Sequence, residues 1–323
     1  MPFRLILLAL AALCALGIFA ARKRKGDYRR AKFYKTFYRP NAFELAINIR
    51  RRFGKTFSKA AARALGAGYA LTHPRVLFGI RDNIALLDPS RASLRAAFQV
   101  CVHQALNFRE YAELANNKPE AVLEMLGQRS GIEHIENARK LGKGCLFVTG
   151  HFGYFELGGL VMAQLGYRMT TLTLPEPSSE LTRWRADFRK RWGVETVVVG
   201  NDAFSAVEIV RILRGGAMVA LLSDRPFDGN FVLVDLPNGR IPFSTAPVLL
   251  SLLSGAPIIA AGIWRQRDGR FHISASPALV PEWLPEGREA TIAHFTRKLA
   301  QDFLVPIFAQ APEQWHHYSR LQK

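Results

Sequence analysis

The stretch Cys145-Leu146-Phe147-Val148-Thr149-Gly150-His151-Phe152-Gly153-Tyr154-Phe155-Glu156 decides how the chain is read. Its first four residues are a short apolar run, the pattern of a buried strand. Gly150 and Gly153 then permit a sharp turn and a close approach of backbone to other groups. Leu157, Leu160, Val161 and Leu165 follow at helical spacing. The stretch therefore predicts a strand, a glycine turn and a helix start. His151 and Glu156 share that turn. In a continuous helix such a pair would be rotated apart by about 140°. The glycines predict instead that His151 sits on the turn and folds back onto Glu156. A carboxylate there fixes the imidazole tautomer and raises its basicity. The pair then reads as a general base without a protein nucleophile, the hydroxyl of an acceptor standing where a serine would. Backbone N–H groups at the helix start are placed to hold a developing oxyanion. Spacing alone leaves a purely structural reading of the pair open.

Outward from this stretch the chain alternates. Apolar runs at 145–149, 168–174, 195–199, 218–223, 257–264 and 271–277 predict strands. Helical patterns lie between them at 155–165, 179–192, 203–213 and 247–253, with Asn201-Asp202 as a cap for the third. Gly166, Gly193, Gly215-Gly216 and Gly255 sit where helices stop. The rhythm predicts an α/β fold, a central mostly parallel or mixed sheet flanked by helices. A last helix runs from Arg288 towards Val305, with Pro306 as its stop. Upstream, Arg81-Asp82-Asn83-Ile84 reads as a linker, Pro89-Ser90 as the start of a helix reaching Ala115, and 120–127 as another short helix.

The N-terminus is of another character. Leu5 to Ala21 is continuously apolar, and Arg22-Lys23-Arg24-Lys25 follows at once. This predicts a short membrane anchor whose positive flank stays cytoplasmic, with a signal peptide or an interfacial helix as the alternatives. Between Arg22 and Arg63 stand fifteen Lys or Arg against Asp27 and Glu44, a net +13 of the chain's +18. Placed directly after an anchor, such a block suits anionic inner-leaflet phospholipids rather than nucleic acid, for which no reader motif is present. Phe33, Phe37, Phe43, Ile47, Phe53 and Phe57 interleave with these charges as in amphipathic helices at a membrane or against a core.

Other chemistries find little support. Cys14, Cys101 and Cys145 are far apart, so neither a disulfide framework nor a cysteine zinc site is predicted. There is no HExxH, and the pattern calls for no metal or other cofactor; His316-His317 reads as a near-surface pair. A serine hydrolase is disfavoured because no Gly-x-Ser-x-Gly elbow occurs.

Gly150-His151-Phe152-Gly153-Tyr154-Phe155-Glu156 resembles the His-x4-Glu motif of the bacterial lipid A late acyltransferases, within the wider glycerolipid acyltransferase superfamily. The resemblance extends to Asn83-Ile84 with Ala96-Ala97-Phe98, to Leu221-Leu222-Ser223-Asp224-Arg225-Pro226, to Val234-Asp235-Leu236-Pro237 through Pro247, and to Gln314-Trp315-His316-His317-Tyr318-Ser319-Arg320. It implies transfer of a fatty acyl chain from acyl carrier protein to a lipid hydroxyl at the cytoplasmic face of the bacterial inner membrane. His151 then matches the catalytic base and Glu156 its partner. Arg189 matches a basic residue placed to bind phosphate or pair with Asp224, with Arg183, Arg185 and Arg191 as competitors. Gly153 joins Arg189 and Asp224 as a candidate substrate-binding position, and Ser244-Thr245 reads as a helix cap or a substrate contact. Residues 1–21, 22–72 and 73–323 are the implied anchor, basic membrane-proximal helices and acyltransferase domain. Asp224-Arg225-Pro226-Phe227-Asp228-Gly229 departs from the family's Asp-His-Asp-Tyr-Gly type, and Tyr154 stands where Asn is frequent. These departures leave the acceptor open: a lipid A precursor, a lysophospholipid or another (glyco)lipid. A non-catalytic scaffold on anionic membranes is the reading of another class.

Overall fold

The computed structural model describes residues 39–321 apart from 201–202 and 227–228. The anchor read over 1–21, the first part of the basic block and the Asn201-Asp202 cap lie outside the described residues. Among those described, no helix is long and apolar enough to cross a membrane.

A helical layer comes first. Helix α1 (Pro40–Thr72) breaks direction at Gly54, whose φ is 82°. Helix α2 (Pro74–Leu87) follows, then α3 (Leu94–Ala115). Ser93, not Pro89-Ser90, starts α3, its hydroxyl accepting from the Ala96 N–H at 3.1 Å. Arg81-Asp82-Asn83-Ile84 is not a linker but part of α2. Asn83 is buried there, and its amide donates to the carbonyls of His317 and Ser319, each at 2.8 Å. An internal amide tethering a distant segment looks, in sequence, like any polar loop residue.

The α/β part follows in chain order: α4 (Ala121–Glu124), β1 (Leu126–Ser130), α5 (Ile132–Arg139), β2 (Cys145–Thr149), α6 (Phe155–Gln164), β3 (Met169–Thr173), α7 (Ser179–Lys190), β4 (Val194–Val198), α8 (Ala203–Arg214), β5 (Met218–Leu222), the hairpin β6 (Phe231–Leu236) and β7 (Gly239–Ser244), α9 (Ala246–Ser254), β8 (Ile258–Arg265), β9 (Phe271–Ala275) and α10 (Arg288–Lys298). The six predicted strands are β2, β3, β4, β5, β8 and β9. With β1 they form one sheet in the order β1-β9-β8-β2-β5-β3-β4, parallel except for the antiparallel pair β8–β9.

Side-chain alternation divides this sheet into two cores. Leu146 and Val148 of β2, Val219 and Leu221 of β5, and Ile258 and Ala260 of β8 face one cluster with Phe243, Phe308 and Trp315. Cys145, Phe147, Met218 and Ile259 face the other, under Leu157, Leu160 and Phe188. Strands buried on both faces read as unbroken apolar runs, which is why β2 was recognisable. Strand β1 was not: Leu-Gly-Gln-Arg-Ser is a polar edge, and only 121–124 of the expected helix at 120–127 forms. Pro306 does not stop the last helix. The chain passes through a π segment (Leu299–Leu304) into α11 (Val305–Gln310), where Pro306 occupies a first-turn position that needs no N–H.

The basic block is partly committed to the fold. Glu113 of α3 accepts from Arg50 Nε at 2.6 Å and Arg109 Nη2 at 2.8 Å and pairs with Lys55 Nζ at 3.1 Å. Burial alone would raise the Glu113 pKa, but these cations hold it down at about 2. Phe43 is likewise core, against Phe108, Tyr111 and Trp184, whereas Phe53 is exposed. Helices α1 and α3 meet at Gly66, where an added Cβ would lie 2.7 Å from both the Cys101 carbonyl oxygen and Val102 Cα. Backbone cannot yield as a side-chain tip can. Gly66→Ala is therefore expected to lower stability by about 1–3 kcal/mol in denaturant unfolding; unchanged stability would show that the two helices do not pack this closely.

Candidate active site

Strands β2 and β5 are adjacent and parallel, with Thr149 opposite Leu222, so both release the chain at the same edge of the sheet. This is the edge at which open α/β sheets build their sites. The Ser223 N–H donates to the Thr149 carbonyl at 2.9 Å, continuing the pairing past the strands. The next residues on each side are Gly150-His151 and Asp224. Asp224 Oδ1 lies 2.8 Å from His151 Nδ1. Its Oδ2 accepts from the His151 backbone N–H and from Trp315 Nε1, both at 2.9 Å. Gly150 makes room for this: a Cβ there would meet Phe308 Cζ at 2.5 Å and the Asp224 carboxyl carbon at 2.9 Å.

Asp224 is completely buried. Burial would raise its pKa, but the charge and hydrogen bond of His151, with Arg225 and His317, hold it well below the usual carboxylate range. A carboxylate only accepts, so Nδ1 carries the imidazole proton and the lone pair is left on Nε2. The His151 side chain keeps 29% of its surface exposed, enough for a substrate to reach it.

The turn is fastened from three directions. Gly153 has φ of 56°, and a Cβ there would fall 1.8 Å from the Ile263 carbonyl oxygen of β8. Its N–H donates to the Gln314 carbonyl at 2.8 Å, and its carbonyl accepts from Asn107 Nδ2 at 2.6 Å. Both backbone groups of Gly153 are engaged within the protein, and its conformation shapes the turn. The segment after α11 lies alongside: Phe152 bridges Trp315, and the His316 N–H donates to the His151 carbonyl at 2.7 Å. His316 and His317 are consequently buried, not near-surface, and burial lowers both pKa values, His316 to about 3.

Glu156 faces elsewhere. It sits in the first turn of α6, pointing to α7 and α3. Its Oε2 accepts from Arg185 Nη2 at 2.8 Å, Tyr111 Oη at 3.0 Å and Arg189 Nη2 at 3.1 Å, and its Oε1 accepts from Arg189 Nε. Burial opposes its charge, but Arg189 and Arg185 keep its pKa at about 2. The expected pairings of His151 with Glu156 and of Arg189 with Asp224 are thus exchanged. The glycine turn does not reverse the helical rotation between His151 and Glu156, and the neighbouring strand supplies the carboxylate instead. Arg185, a competitor in the sequence, joins Arg189 in this cluster, while Arg183 and Arg191 are exposed. The Ser244 hydroxyl accepts from the Ala246 N–H at 3.3 Å, whereas Thr245 donates to the Asn230 carbonyl. Asn107 and Tyr111, four apart on α3 and therefore on one face, escaped the sequence reading.

The two buried carboxylates respond to change differently. Glu156→Gln removes the carboxylate that faces buried Arg189 and one of the two that Arg185 meets, the other being Glu176, and is expected to cost about 3–5 kcal/mol. Because the folded pKa is depressed from 4.5 to about 2, the charge contribution is complete above pH 4.5 and is lost as pH falls from there towards 2. The stability difference between wild type and Glu156→Gln, followed by denaturant unfolding against pH, should shrink across that window. A difference that stays constant would contradict the ion-pair assignment.

Residues 98–323 match the family described as bacterial lipid A biosynthesis acyltransferase. The chain is 24% identical over 187 residues to the phosphatidylinositol mannoside acyltransferase of Mycobacterium tuberculosis, covering 58% of this chain and 57% of that protein. It is 22% identical over 186 residues to the protein of the same name from Mycolicibacterium smegmatis, covering 57% and 59% respectively. It therefore spans somewhat more than half the length of these curated relatives. With the family match running from the third helix through the turns after β2 and β5 to residue 323, the chain belongs to the bacterial lipid A biosynthesis acyltransferase family.

Proposed function

We propose that this protein transfers a fatty acyl chain from a thioester to a hydroxyl of a lipid or glycolipid, with His151 as general base and Asp224 as the carboxylate that orients it. The 2.8 Å contact between His151 Nδ1 and Asp224 Oδ1 carries this reading, because it leaves a lone pair on Nε2 of a partly exposed imidazole. His151 Nε2 takes the proton of the acceptor hydroxyl, the oxygen attacks the thioester carbonyl, and Asp224 stabilises the imidazolium. Collapse of the tetrahedral intermediate expels the thiolate, which His151 reprotonates. Helix α6 begins four residues after His151, and the N-terminal end of a helix carries partial positive charge, a favourable setting for the oxyanion. Glu156 maintains the shape of the turn's far side.

The acceptor is a glycolipid in this proposal. The relatives are named for acylation of phosphatidylinositol mannoside and the family for lipid A biosynthesis, and both names describe sugar-bearing lipids. An acyl carrier protein donor suits the basic surface of the chain, since that carrier is acidic. Anchoring by residues 1–21 at the inner membrane, cytoplasmic side, belongs to the same proposal. It is supported by exposed Phe53, Leu71 and Phe78 on α1 and α2 beside exposed Arg52, Arg63 and Arg75, a combination suited to anionic lipid headgroups.

His151→Ala and Asp224→Asn should each lower kcat/KM for acyl transfer from an acyl thioester by about 10²–10⁴. Comparative lipid mass spectrometry of cells carrying wild type or His151→Ala should show loss of an acylated glycolipid. Undiminished transfer by His151→Ala would overturn the mechanism; loss confined to a lysophospholipid product would move the acceptor to that class.

A further inference from the structure

We infer that the Trp315 indole is a positioning residue that sets the basicity of His151 through Asp224. The inference rests on the His151–Asp224 reading and deepens it. Trp315 comes from the far end of the chain and is 1% exposed. A buried indole N–H needs an acceptor, and here that acceptor is Oδ2 of the carboxylate whose other oxygen meets the imidazole. The ring cannot easily swing away. It packs parallel to Phe308, with ring centroids 6.0 Å apart, and against His317 at 5.2 Å. The adjoining backbone bridges Phe152 and His151. Further along, Asn83 holds the same segment through the carbonyls of His317 and Ser319 and the N–H of Leu321.

Asp224 Oδ2 therefore receives two neutral donors, one from the His151 backbone and one from Trp315. Hydrogen bonds to a carboxylate stabilise its charge and lower its proton affinity. A less basic carboxylate stabilises an adjoining imidazolium less, so deleting the indole donor should favour the protonated ring. The charged or titratable groups acting most strongly on Asp224 are His151, Arg225 and His317, His316 also acts on His151, and burial keeps His316 and His317 towards their neutral forms. Trp315 is thus a fixed donor at this carboxylate that does not itself titrate in the working range.

The test uses the pH dependence of kcat/KM, whose acidic limb reports His151. Trp315→Phe keeps a ring and deletes the donor. It should move the limb upward by about half a pH unit. It should also lower kcat about tenfold, with the thioester KM held within about twofold. Uniform replacement of tryptophan by 5-fluorotryptophan makes the indole N–H more acidic. Trp184, Trp192, Trp264 and Trp283 make no hydrogen bond to Asp224, so the labelled enzyme should move the limb downward, the opposite sign. Phe308→Leu disturbs the packing of the same ring and should lower thermal stability without moving the limb. Limbs that stay fixed in both the Phe variant and the fluorinated enzyme overturn the inference; if Trp315→Phe does not fold, the fluorinated enzyme decides alone. Activity retained by His151→Ala would instead sink the base assignment, so the two failures are separable.

Discussion

A carboxylate with no access to water organises this molecule. Asp224 would not remain charged at zero exposure unless its surroundings supplied the lost solvation, and three N–H donors do so. Those donors come from two separate places: the turn after β2 and the segment after α11. Asp224 itself follows β5. Charge burial therefore ties together three parts of the chain that the sheet alone would leave loosely related. The same requirement explains the glycine at position 150, because any side chain there would occupy the space in which Asp224 and Phe308 meet the turn.

A second buried carboxylate, Glu156, sits on the opposite side of the same turn, and its solvation is of another kind. Two guanidinium groups and a phenol surround it, and together they join α6, α7 and α3. One carboxylate is held by neutral donors and a single imidazole; the other is matched by permanent cations. The first arrangement suits a group that must sense a proton moving on and off His151. The second suits a fixed fastening, since arginine does not change its charge under ordinary conditions. The same contrast separates the chemistry proposed for the turn from the contacts that keep it in place.

Much of the fold was legible because β2, β5 and β8 are buried on both faces, so their sequences are uninterrupted apolar runs. The glycine turn was legible because few residues tolerate its backbone. What could not be read was which partner each charged residue finds. Asp224 lies 73 residues from His151, and their contact depends on β5 lying next to β2, a fact of topology that periodicity does not contain. Glu156, close in sequence, was the natural but wrong partner for the imidazole. Polar edges were opaque for the same reason: the Leu126–Ser130 strand pairs with β9 far along the chain and shows no alternation of its own. Asn83 resembled a linker residue until its tether to the final segment became visible.

The central claim, that Asp224 and not Glu156 governs the imidazole, is most directly tested by the nitrogen-15 and proton resonances of His151 in the full-length protein. The account predicts a neutral ring protonated at Nδ1, with a strongly deshielded Nδ1 proton that disappears in Asp224→Asn and persists in folded Glu156→Gln. A ring protonated at Nε2, or an Nδ1 proton that survives loss of the Asp224 charge and vanishes with that of Glu156, would contradict it.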